Sequence, residues 1–163
     1  MKKVLLSTIA LLVLSMMLVM PIKARTEEPY ESRIEGVLMD PGKQWVSEDG
    51  ILHIRDSYWL GTEVGTLGSS TYEDWVSFNI DLATGEGTLF GKWLLTFDTR
   101  GTSSGSAQGK INMVTGQMSG IFIGTHATGE FEGMQKKGTF EGYLLPTNPM
   151  SAVLNCEGRV TYP

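Results

Sequence analysis

Two histidines, His53 and His126, and one cysteine, Cys156, are the only side chains here of the types that most often act as neutral-pH bases, thiol nucleophiles or soft metal ligands. His126 shares a strand face with Glu130 in simple alternation. Four residues along a strand span about 13 Å, so the two form an acid–base pair only if Gly129 folds the chain back. There is no His-x-His, no His-x3-His and no cysteine cluster, which leaves zinc without a ligand set. "DLATGEG" places Asp81 and Glu86 near glycine, but the calcium-loop spacing of an EF-hand is missing. No nucleophile elbow, phosphate-binding glycine loop or dinucleotide fingerprint occurs. Cys156 lies on the apolar side of "SAVLNCEGRVTYP", with Arg159 on the other face. A reactive thiol needs a cationic neighbour, so Cys156 reads as a small buried apolar residue. The expectation is no catalytic residue, no metal and no cofactor.

Aromatic residues offer a different chemistry. Trp93 belongs to an apolar run, whereas Trp75 shares its face with Ser77, Asn79 and Asp81 and is expected on the solvent side. Trp75, and Trp59 in "DSYWLG", are placed to stack on a sugar, or simply to pack across strands. The candidate ligand-contacting residues are therefore Trp59, Trp75, Trp93, His126 and Cys156.

Period-two alternation dominates the segments that position them. Val76, Phe78, Ile80 and Leu82 share one side of a run, as do Leu89, Trp93, Leu95 and Phe97. Ile121 and Ile123 continue the pattern, and Ala152, Leu154, Cys156, Val160 and Tyr162 close it. Turn signals separate the runs: "DPG", "EDG", "ATGEG", "RGTSSG" and "TG" at 115–116. No helical period is sustained after residue 24. Eight or nine strands at this spacing predict an all-β fold, a single antiparallel barrel of eight strands, with a sandwich as the alternative.

Glycines Gly91, Gly109, Gly142 and Gly158 fall on the apolar side of their runs. They either let a small barrel curve or hollow its interior for a ligand. "ATGE" occurs at 83–86 and again at 127–130, each time followed by a "GT" strand start, which hints at an internal echo.

The N-terminus reads as an export signal. "MKK" precedes an almost unbroken apolar run from Val4 to Met20, then Pro21 and a small residue at Ala24. The predicted divisions are a signal peptide at 1–24, a flexible leader at 25–32 and a barrel domain at 33–163. An uncleaved anchor is the alternative, and only that would bring a membrane into the account. Cleavage removes Lys2, Lys3 and Lys23 from the 13 basic side chains, leaving 10 against 18 acids and a net charge of −8. That balance argues against a nucleic-acid partner and suits a secreted or otherwise extracytoplasmic protein. With one cysteine the chain forms no internal disulfide.

"TGEFEGMQKKGTFEG", with the upstream "GTLFGKWLLTFD" and "GSAQGKINMVTGQMSGIFIG", resembles the glycine-punctuated strands of small secreted barrels of the allene oxide cyclase-like type. The resemblance spans about residues 83 to 145 and implies an eight-stranded barrel with an apolar interior. It carries over no catalytic residues. "GKW" at 91–93 is similar to the lipocalin signature but sits mid-chain rather than in the first strand. Within "HATGEFEGMQKKGTFEGYL", pairing Gly133 with Gly138 sets Phe131 opposite Phe140, makes "MQKK" a hairpin tip and sends Lys136 and Lys137 into solvent.

Three functions fit this sequence. The first is an exported, non-catalytic barrel binding a small apolar ligand or a protein partner. The second is a cyclase-like barrel isomerase, which needs a buried carboxylate or hydroxyl in the lumen. The third is a carbohydrate-binding module taking a glycan on exposed tryptophan.

Overall fold

The computed structural model describes residues 25–163, so the expected signal peptide lies outside the described residues. Nine strands follow one another: β1 (Thr26–Asp40), β2 (Lys43–Val46), β3 (Ile51–Gly65), β4 (Gly68–Asp81), β5 (Glu86–Thr96), β6 (Thr102–Asn112), β7 (Gln117–Ala127), β8 (Gln135–Leu145) and β9 (Ser151–Tyr162). From β3 to β9 each strand pairs antiparallel with its successor, and β1 pairs with both β9 and β3. This closes an eight-stranded antiparallel barrel. β2 is the extra strand. β1 covers the C-terminal half of β3, from Tyr58 to Gly65, and β2 covers Leu52 to Arg55 of the N-terminal half.

The turns follow the glycine signals. Gly85 and Gly116 both take left-handed backbone angles, and each donates its N–H to a carbonyl four residues earlier, Asp81 and Asn112, at 2.7 Å. The echoed "ATGE" does not mark a repeated unit: at 83–86 it closes a hairpin, and at 127–130 it enters a single 3-10 turn, Gly129–Phe131.

One end of the barrel is plugged. Leu67, Phe97, Phe131 and Met134 are buried there, with the Phe97 and Phe131 rings 4.6 Å apart. Arg100 lies over Phe131 at 4.9 Å and donates to the Leu67 carbonyl and to Glu130. At the other end Leu38, Leu144, Met150, Ala152 and Leu154 are only partly buried.

Several expected positions change. Residues 26–32 are no unpaired leader but the start of β1, matched one for one with β9 from Thr26–Tyr162 to Ser32–Cys156. Leu82 follows the last residue of β4 and is exposed. Ile121 and Ile123 face outward, because the inner face of β7 carries Met118, Gly120, Phe122 and Gly124. The Gly133–Gly138 hairpin does not form: β8 starts at Gln135, and Phe140 pairs with Gly120 and Cys156, not with Phe131. Phe131 is still buried, in the end plug.

Inner-face glycines meet in cross-strand pairs: Gly36 with Gly61, Gly109 with Gly120, and Gly138 with Gly158. Gly105 and Gly124 form a further pair, at a β-bulge. Their missing side chains are neither empty space nor only curvature. A Cβ on Gly120 would come within 2.7 Å of Phe140, and one on Gly105 within 2.6 Å of the Trp93 ring. The Gly109–Gly120 and Gly105–Gly124 pairs are sockets, filled by the Phe140 and Trp93 rings. Gly105→Ala should therefore lower the unfolding free energy by about 1–3 kcal/mol, the usual range for overpacking. Urea denaturation beside the wild type measures it.

Candidate functional site

Register, rather than sequence proximity, assembles the interior site. Reading across paired strands on the inner face gives Trp59, Asp74, Trp93, Gly105, Gly124 and Lys136 in one row. The two glycines leave a gap in the wall. The Trp93 indole and the aliphatic stem of Lys136 lie over it, and a Cβ on Gly124 would come within 2.8 Å of either.

Lys136 is thus inside the barrel and almost inaccessible, not in solvent at a hairpin tip. Its Nζ stands 4.4 Å from the Trp93 ring centre, 4.6 Å from Tyr30 and 5.7 Å from Phe122. It donates to the Tyr30 hydroxyl at 3.0 Å and lies 3.8 Å from Glu63 Oε1. Tyr30 in turn donates to Glu63, which also accepts from Ser32 at 2.6 Å and from Ser70 at 3.3 Å. Burial pulls the Lys136 amine below its ordinary range, and Glu63 works against that. Burial, reinforced by Glu63, drives the Tyr30 hydroxyl far above its own. The cluster is therefore an ion pair bridged by a phenol that stays protonated. Removing one member of a buried pair costs about 3–5 kcal/mol, whereas replacing both with well-packed apolar groups is often neutral. Lys136→Met should show the single loss, and Lys136→Met with Glu63→Leu should recover most of it. Chemical denaturation of both variants measures the difference.

A second polar pole stands in the same row. Asp74 and Trp93 are direct cross-strand partners, both buried. Asp74 Oδ2 accepts from the Tyr72 hydroxyl at 2.5 Å, while Asp74 Oδ1 and Trp93 Nε1 have no partner among the described residues. Gly91 gives Oδ1 its room, since a Cβ there would lie 2.9 Å from that oxygen. Burial pushes the Asp74 carboxyl up to about 7, although the Tyr72 bond opposes this. A folded-state value above the ordinary 3.8 means that the fold prefers the protonated acid. The stability from this group is complete below about pH 4 and is lost as pH rises to about 7. Melting of wild type relative to Asp74→Asn should thus become progressively less favourable between those limits. Scanning calorimetry across that range tests the sign.

Both poles face a cavity of about 80 Å³ in the barrel, otherwise walled mainly by apolar side chains such as Ile34, Val76, Leu89, Ala107, Met118 and Leu154. It reaches from Glu63 and Lys136 near the plugged end to Leu144 and Ala152 near the looser rim.

The five candidate residues are divided by the wall. Trp93 and Cys156 point into the lumen, as the alternation implied, and both line the cavity. Burial, with Glu63 adding to it, pushes the Cys156 thiol up to about 11, so it is unreactive near neutrality. Trp59 also faces inward, buried, with its indole N–H donated to Ser57 at 3.1 Å, so no sugar reaches its ring from outside. Trp75 is on the outer surface, 40% exposed, and stacks on Tyr58. His126 is exposed and meets only Thr125, while Glu130 pairs with Arg100. The remaining histidine, His53, sits on the outside between Asn79 and Ser47 and stacks on Trp45. Asp81 accepts the Ala83 N–H within its own turn. Among the described residues no three His, Cys, Asp or Glu side chains converge as a metal site would require.

Sequence reasoning missed Glu63, Asp74 and Lys136, yet parity marks each. Lys136 is in step with Phe140, Asp74 with Val76 and Phe78, and Glu63 with Trp59. No family model matches the chain, and neither a curated protein nor a solved structure matches it.

Proposed function

We propose that this protein is an exported, non-catalytic barrel that binds a small, mainly apolar molecule in its lumen. The observation that carries this reading is the cavity of about 80 Å³ with its apolar wall. A room of that kind suits an apolar guest, because such cavities stay available to small hydrocarbons. The unreactive Cys156 and the fully engaged Glu63 fit holding rather than transformation. Toluene at ten times its dissociation constant should raise the melting temperature by about 3–6 °C. Ala107→Leu, which places four-carbon bulk in the cavity, should abolish the shift while the barrel still melts cooperatively. An unshifted wild type would count decisively against the reading.

One observation favours an alternative, a barrel isomerase of the type the sequence resembles. Asp74 is a lumen carboxyl with an unpartnered oxygen and a pKa pushed up to about 7, suited to moving protons near neutrality. Deuterium exchange into the α-positions of cyclohexanone, faster with wild type than with Asp74→Asn, would support that alternative. Equal rates would remove it.

A further inference from the structure

The apolar wall says little about which molecule the lumen prefers; its two unpartnered polar atoms say more. Asp74 Oδ1 is an acceptor, Trp93 Nε1–H is a donor, and neither has a partner among the described residues. The two residues are directly opposite each other on β4 and β5, are 8% and 6% exposed, and both line the cavity. A buried polar group without a partner costs free energy, so such groups normally mark where water or a ligand completes the bonding.

The other polar groups of the lumen narrow the choice, because each already has a partner in the protein. Glu63 accepts from Tyr30, Ser32 and Ser70. Lys136 is occupied by Tyr30, by Glu63 and by three ring faces. Tyr72 is committed to Asp74 Oδ2. The atoms wholly without a partner among the described residues are one donor and one acceptor, on directly paired residues.

We propose that the lumen is selective for small apolar alcohols and phenols, whose single hydroxyl donates to Asp74 Oδ1 and accepts from Trp93 Nε1–H. This rests on the ligand-binding reading above and sharpens it. A ketone or ether satisfies only Trp93, and a hydrocarbon satisfies neither. Once Asp74 is ionised, above about pH 7, a carboxylate would bring a second negative charge against it. An ammonium would satisfy Asp74 but leave the indole N–H without an acceptor. Size sets a further bound: at about 10–15 Å³ per water-sized centre, 80 Å³ admits about five to eight non-hydrogen atoms. p-Cresol falls within that range, its ring against the apolar wall and its hydroxyl at the pole. A water molecule held at the pole in the unliganded protein would be displaced by a hydroxyl that reproduces its bonds.

Isothermal titration of p-cresol, toluene and anisole at pH 8.5, where Asp74 is ionised, against wild type, Asp74→Asn and Trp93→Phe tests the proposal. The ratio of p-cresol to toluene affinity should be about tenfold higher in wild type than in Trp93→Phe, since the two ligands' differing hydration cancels in that comparison. Asp74→Asn should lower the ratio as well, because a neutral amide is the weaker acceptor. Anisole, an isomer of p-cresol that has no proton for Asp74, should bind wild type more weakly than p-cresol. The ether comparison involves no variant and so does not depend on how either substitution folds. If the ratio is the same in all three proteins, or the ether binds as well as the phenol, the hydroxyl pole is overturned while lumen binding stands. If none of the three compounds binds wild type, both the pole and the binding reading fall.

Discussion

One ammonium group sets the terms for the interior of this barrel. A charge removed from water costs several kcal/mol unless its surroundings replace the lost hydration, and Lys136 is removed almost completely. Its replacement shell comes from strands remote in sequence: Glu63 from β3, Tyr30 from β1, Trp93 from β5 and Phe122 from β7. These partners surround the ammonium only when the wall is closed and every register is correct. A slip of one residue in β8 would turn Lys136 outward and leave Glu63 without its counter-charge. The ion pair is thus less a source of net stability than a check on the one arrangement that satisfies it.

Glycine and aromatic residues share the remaining space in a complementary way. An eight-stranded barrel has an interior just wide enough for side chains to fill. Two indoles and several phenyl rings would overfill it if every wall position carried a Cβ. Glycines at paired positions thin the wall opposite the large rings, and the volume left over is the cavity rather than a defect in packing. The same economy explains β7, whose large β-branched residues face outward while glycines face in.

Much of the architecture was legible from alternation and turn chemistry. The closed all-β fold, the inward Trp93 and Cys156, and the turns at Gly85 and Gly116 all follow from period two and left-handed glycine. The site was less legible, for a physical reason. Burial of Glu63, Asp74 and Lys136 is decided by partners across the lumen, whereas alternation ranks each residue by its own polarity. "QKKG" reads locally as a solvated turn, and only the parity of Phe140 argues otherwise. Trp59 shows the converse: its neighbours in "DSYWLG" look like a surface loop, yet Glu63 and Trp59 share the inner face of β3. The start of β1 was hidden in the same way. "RTEEPYES" is polar enough to pass for a loose leader, and its inward members Tyr30 and Ser32 belong to the buried network.

The placement of β9 between β1 and β8 has a consequence for how the barrel closes. β3 through β8 form a meander in which each strand pairs with its neighbour in sequence. β1 can join that sheet along β3, but its other edge stays bare. Only when β9 arrives do both bare edges, of β1 and of β8, disappear in a single step. Until then the lumen is a trough, and Lys136, whose shell includes Tyr30 on β1, faces water. Sealing and charge burial therefore both wait on β9, which makes the last strand the latch of the barrel.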